Sequence, residues 1–205
     1  MKILNKSNRP QVIDEEIVVP VDDVLISVTD PKGLIVDAND IFVKISGYSK
    51  DELVGANHNL IRHPDMPRAM FKVVWDHIKD RENIMAVVKN LAKDGRYYWV
   101  ITDFVTKVDS DRDVVNYTAY RRSPKPGILK TIIPMYKALN AIEEFAGMAA
   151  AEHFLTDFLE RRNESYDDFI ETLIVDSCER EDMVAAYKAS SETDKKGFFK
   201  RFFGI

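Results

Sequence analysis

Within residues 57–67, reading Asn-His-Asn-Leu-Ile-Arg-His-Pro-Asp-Met-Pro, three side chains of different acid–base character stand within four positions: Arg62, His63 and Asp65. They supply a fixed cation, a titratable imidazole and a carboxylate. Pro64 and Pro67 fix their own φ and push the residue before each out of the helical region, so the stretch reads as a short turn, a stiff polar corner and the start of a new helix. A stiff corner that presents an arginine and backbone N–H groups at a helix start can hold an anion. The simpler alternative is a loop ion pair between Arg62 and Asp65. Residue chemistry alone leaves both open.

The flanking sequence supplies elements to hold this corner. Residues 24–29 are rich in β-formers, Asp30-Pro31-Lys32-Gly33 is a turn, and 34–37 return, which predicts a hairpin. Asn39 or Asp40 is placed to cap a short helix over Ile41, Phe42 and Ile45 that Gly47 ends. Ser49, with Glu52 three residues on, is a capping-box pattern for another. After the corner, Met70, Phe71, Val74, Trp75 and Ile78 recur at helical spacing and predict a helix over 66–79. Residues 84–90, 96–108 and 114–121 read as strands, joined by an Asp94-Gly95 turn and an acidic turn at 109–113. The order predicts an α+β domain over 24–122, a five-stranded antiparallel sheet with helices packed on one face. Residues 1–23 read as a cap or extended arm.

Ser123-Pro124-Lys125-Pro126-Gly127 marks a boundary, and a helical C-terminal region over 128–190 follows. A long helix is expected from 129 to 162, with Gly147 as a weak point, then helices over 166–177 and 178–188. Their broad apolar stripes must pack on each other, on the sheet or on a partner. Residues 191–205 form a tail that ends in a stretch from Lys195 to Ile205, with four basic residues, four phenylalanines and no acid. That mixture suits a membrane surface or an apolar, acidic groove; an ordinary solvated tail is the alternative.

The composition excludes some classes. Over 205 residues, 45% are hydrophobic and 31% charged, with a net charge of −5, which is a globular composition with no overall basic footprint for nucleic acid. The one cysteine, Cys178, can form neither an internal disulfide nor a cysteine-based zinc site. No signal-peptide run and no stretch of roughly 20 apolar residues is found, so a cytoplasmic location is expected. No Gly-rich phosphate loop, nucleophile elbow or metalloprotease helix is present, and an enzyme reading has no motif behind it.

Residues 24–122 resemble a PAS domain. The blocks that carry the resemblance are Asp37-Ala38-Asn39-Asp40-Ile41-Phe42, Ser46-Gly47-Tyr48, His58 through Pro67, Val88-Lys89-Asn90 and Asp94-Gly95-Arg96-Tyr97-Tyr98-Trp99-Val100. They are similar to the PAS domains of bacterial aerotaxis receptors and the small PAS proteins of energy taxis, and the block around Arg62-His63-Pro64-Asp65-Met66-Pro67 is the most specific. The resemblance implies the five-stranded PAS sheet, with a pocket between sheet and helices that holds FAD non-covalently. It implies a sensor that reports redox state to a chemoreceptor or similar transducer. It further implies that Arg62, His63 and Asp65 serve flavin binding, with Asn39, Trp75, Asn90 and Trp99 in the same pocket region. Arg62 suits the pyrophosphate and Asn90 the amide edge of the ring.

Strand alternation puts Ile84, Ala86 and Val88 on one face with Asn90, and Ile101 and Asp103 on one face with Trp99. If Trp99 faces the pocket, Asp103 does too and joins the candidate site. The family usually has an aromatic at Ile84, glycine at Ala86 and asparagine at Asp103, so all three departures are expected on the pocket floor. They support a second reading, a ligand-free PAS adaptor for protein–protein contact. Haem held by a histidine is a third option for the pocket; Cys178, in the tail, sets aside a cysteinyl–flavin adduct. A homodimer is expected, as is recruitment to the inner face of the membrane through residues 195–205.

Overall fold

The computed structural model describes residues 9–176. Strands β1 (Leu25–Thr29), β2 (Ile35–Ala38), β3 (Ile84–Leu91), β4 (Tyr97–Val108) and β5 (Val114–Arg122) form one sheet in the order β2-β1-β5-β4-β3, every pair antiparallel. The first hairpin closes on Asp30, whose Oδ1 accepts from the N–H groups of Lys32 and Leu34, while Gly33 takes φ +82°. That left-handed conformation favours glycine.

Helices α1 (Asp40–Ser46), α2 (Lys50–Leu53) and α3 (Arg68–Lys79), with a 3₁₀ turn at His58–Ile61, cover one face. The local signals act as expected. Asn39 Oδ1 accepts from the Phe42 N–H at 2.9 Å, and Gly47 ends α1 with φ +74°. Both halves of the Ser49–Glu52 capping box form. Of these three helices α3 lacks its own cap, because it begins after Pro67 with no side-chain hydrogen bond there.

The C-terminal region departs from expectation at one point. The single long helix expected over 129–162 divides into α4 (Pro126–Ala146) and α5 (Met148–Arg162) at Gly147, whose φ of +88° and ψ of 169° no helix can continue through. Then follows α6 (Tyr166–Asp176). Of the packing partners open to these helices, they take each other and the sheet, on the face opposite α1–α3. Tyr136 of α4 donates from Oη to the Val87 carbonyl of β3 at 2.6 Å and lies 6.2 Å from the Trp99 ring. The helices therefore cover the outer face and wrap the edge strand β3, which would otherwise present unpaired backbone groups. Wrapping also brings α4 to the start of α3, where Glu143 Oε1 accepts from the Ala69 N–H at 2.7 Å and supplies the missing cap.

The N-terminal arm runs beside the start of β4. Ile13 N–H donates to the Gly95 carbonyl, Tyr97 N–H to Glu15 and Ile17 N–H to Tyr97. A Cβ at Gly95 would sit 2.1 Å from the Gln11 carbonyl oxygen, so glycine there admits the arm. Among the described residues no helix is long and apolar enough to cross a membrane. The helix expected over 178–188 and the tail of 191–205 lie outside the described residues.

Candidate functional site

A cavity of about 300 Å³ lies between the inner face of the sheet and α3, closed at one side by the 57–62 segment. Among the described residues Lys32, Arg62 and Arg121 line it, and no carboxylate does. Its walls are otherwise apolar or neutral, from Val88 on β3 and Phe104 on β4 to Phe71, Val74 and Ile78 on α3.

Three of the expected site residues meet there. Arg62 borders the cavity with its guanidinium 4.3 Å from the Phe71 ring centre, donating from Nη2 to the Met66 carbonyl at 2.9 Å. Burial, and then the nearby Arg9 charge, lower its pKa. Trp75 lines the wall edge-on to Tyr117 at 5.9 Å, and its ring lies where a Cβ on Gly33 would come within 3.4 Å. Asn90 lines the floor, is buried, and has an Nδ2 donor with no hydrogen-bond partner among the described residues.

His63 and Asp65 stand beside Arg62 but face β3 instead of the cavity. The ion pair between Arg62 and Asp65 that the sequence allowed does not form; Asp65 pairs with Lys89 Nζ at 2.7 Å. His63 is buried, and its Nδ1 accepts from the Asp65 N–H at 3.1 Å, so the proton of the neutral ring sits on Nε2. Burial and the Lys89 charge push its pKa down to about 4. The pair braces the corner against β3.

The remaining three lie elsewhere. Asn39 is outside the cavity, spent on capping: Oδ1 accepts from the N–H groups of Ile26 and Phe42, and Nδ2 donates to the Val24 carbonyl. Trp99 and Asp103 are on the outer face. The register opposes Asn90 to Tyr98, Val88 to Val100 and Ile84 to Phe104, so the even-numbered residues of β4 face inward. Trp99 packs under Tyr136, and Asp103 is half-buried, its pKa raised by burial against the Arg122 charge. Of the three departures on the expected floor, Ile84 and Ala86 therefore face in and Asp103 faces out. A phase error of one residue turns every side chain of a strand to the other face, and nothing within β4 fixed the phase.

The cavity also holds a group that the sequence reading did not assemble. Arg121 of β5 is 1% exposed. Its Nη1 donates to Ser27 Oγ at 2.9 Å and to the Ala119 carbonyl at 3.2 Å, and its Nη2 lies 2.7 Å from His58 Nε2. A guanidinium only donates, so Nε2 accepts and His58 is neutral with its proton on Nδ1. Burial and the Arg121 charge push the His58 pKa down to about 3. Burial lowers Arg121 to about 10, which leaves it charged at neutral pH. The signal was present in the alternation of β5, where one of Arg121 and Arg122 must point inward.

Residues 35–121 match the family described as PAS fold. The aerotaxis receptor of Escherichia coli is 38% identical over 135 residues, covering 66% of this chain and 26% of that receptor. The bacterioopsin transcriptional activator of Halobacterium salinarum is 31% identical over 113 residues, covering 55% of this chain and 16% of the activator. The chain thus spans about a quarter or less of the length of these relatives. Among solved structures, the light state of the blue-light photoreceptor Aureochrome1 LOV is similar at 25% identity and a TM-score of 0.48, covering 54% of this chain and 88% of that one.

Proposed function

The chain carries a PAS domain of the aerotaxis-receptor type, and from that premise we propose that it is a redox or energy-taxis sensor whose cavity holds FAD. The observation that carries this reading is the buried Asn90 Nδ2, a donor without a partner in a cavity lined by three cations and no carboxylate. A ligand with negative phosphates and a ring that accepts hydrogen bonds answers both features. Arg62 suits the pyrophosphate and Asn90 the ring's amide edge, with Trp75 beside them. His63 and Asp65 hold the corner that carries Arg62. Bound FAD supplies a redox centre whose charge depends on the state of its surroundings. The output goes to a chemoreceptor-type transducer on the cytoplasmic side, with the chain acting as a homodimer.

A second reading, a ligand-free adaptor, is favoured by Arg62, whose guanidinium is already engaged by the Met66 carbonyl and the Phe71 ring. The absorption spectrum of the freshly purified full chain separates the two. Oxidised-flavin bands, present at once or gained on incubation with FAD, are expected. A colourless protein that takes up no FAD excludes the sensor reading in this form and leaves the adaptor.

A further inference from the structure

The roles above leave the Arg121 end of the cavity unused. Arg121 is almost wholly buried, and among the described residues no carboxylate is its hydrogen-bond or ion-pair partner. What surrounds it is neutral: Ser27 Oγ, the Ala119 carbonyl, the unprotonated Nε2 of His58, and the Phe42 ring at 5.2 Å. On the strand beside it, Tyr98 Oη and Thr102 Oγ1 are buried without partners. Burying a cation without a counter-ion is strongly unfavourable, and ordinary packing supplies a carboxylate or removes the charge. Here the fold keeps the charge, aims it with three neutral acceptors and opens it to a cavity.

We propose that this end is an anion subsite, in which Arg121, steered by Ser27 and His58, takes an anionic acceptor atom of the bound ligand. The identity of that ligand rests on the flavin reading. With Arg62 at the phosphate end, the atom that reaches Arg121 belongs to the ring system, which gains negative charge when reduced. Charge placed near a flavin ring tunes its electronics, so Arg121 sets the preference of this site for reduced over oxidised flavin.

The test uses the full chain and the variants Arg121→Gln and Arg62→Gln at matched ionic strength. Oxidised FAD, anaerobically reduced FAD and riboflavin, which lacks phosphate, are titrated into each. Arg121→Gln is expected to lose at least tenfold more affinity for reduced than for oxidised FAD, while Arg62→Gln weakens FAD and spares riboflavin. If Arg121→Gln weakens both forms of FAD equally and spares riboflavin, the subsite stands and its anion is a phosphate. Equal loss of all three ligands marks a packing role, and no loss of any marks an idle residue; either overturns the proposal and leaves the flavin reading intact. If the parent chain binds no flavin, the flavin reading falls and inorganic phosphate decides. Thermal stabilisation by phosphate over chloride, absent in Arg121→Gln, supports the subsite, and none in the parent chain ends it. The unliganded Arg121→Gln variant is expected to melt no lower than the parent, since it removes an uncompensated buried charge. Should it fail to fold, His58→Asn, which removes the acceptor that orients Nη2, is read by the same criteria.

Discussion

His58 and His63 are both held neutral, by different neighbours. His58 accepts from Arg121 and is pushed down to about 3, and His63 accepts from the Asp65 N–H and is pushed down to about 4, burial being the larger cause in each. In the unfolded chain both titrate near the ordinary histidine value. Between that value and the folded ones, the unfolded state binds protons that the folded state refuses, so stability is lost as pH falls. Each histidine contributes a slope of about 1.4 kcal/mol per pH unit within its window. The melting temperature is therefore expected to hold above about pH 6.5 and to decline steadily towards pH 4. His58→Asn is expected to flatten that decline, and an unchanged slope in this variant would remove His58 from the account. At this scale the corner of 57–67 was legible because its composition is unusual for any loop. Arg121 was not, since a strand ending in two arginines does not say which one turns inward until its register is known.

The elements themselves were mostly legible, because capping and turn residues act locally. Asn39, Ser49, Gly33 and Gly47 each did what their side chains or conformational freedom imply. What local signals could not supply is the start of α3, which follows Pro67 and has no cap within its own sequence. Glu143, 74 residues away, closes the first turn by accepting from the Ala69 N–H. Capping across such a distance leaves no local pattern to read. Glu143→Ala is expected to lower stability by about 1 kcal/mol, the usual worth of a lost cap, and the melting temperature by about 2–4 °C in a chain of this size. A melting temperature equal to that of the parent would show that water caps α3 equally well.

For the whole molecule, the sequence indicated that helices follow the last strand but not the surface that those helices cover. An amphipathic stripe says that a helix packs and leaves its partner unnamed. Here the partner is the outer face of the sheet, where Val87, Trp99 and Ile101 are buried. A chain ended at residue 127 is expected to expose that face and the edge of β3. It should bind a hydrophobic dye and lose the cooperative melt of the full chain. A truncated protein that stays monodisperse and melts like the parent would show that the sheet domain needs no cover.

Strand β3 is a partition a single strand thick. Val88 and Asn90 look into the cavity, while Val87, whose carbonyl Tyr136 grips, and Lys89, which holds Asp65, belong to the other side. Consecutive residues thus serve two compartments, and no chain of intermediate side chains is needed between them. A pull on the Asn90 amide is a displacement of the same backbone that α4 rests upon. Such a partition transmits movement and is indifferent to what causes it. Side chains that line the cavity can therefore be exchanged without touching the carbonyl that Tyr136 holds.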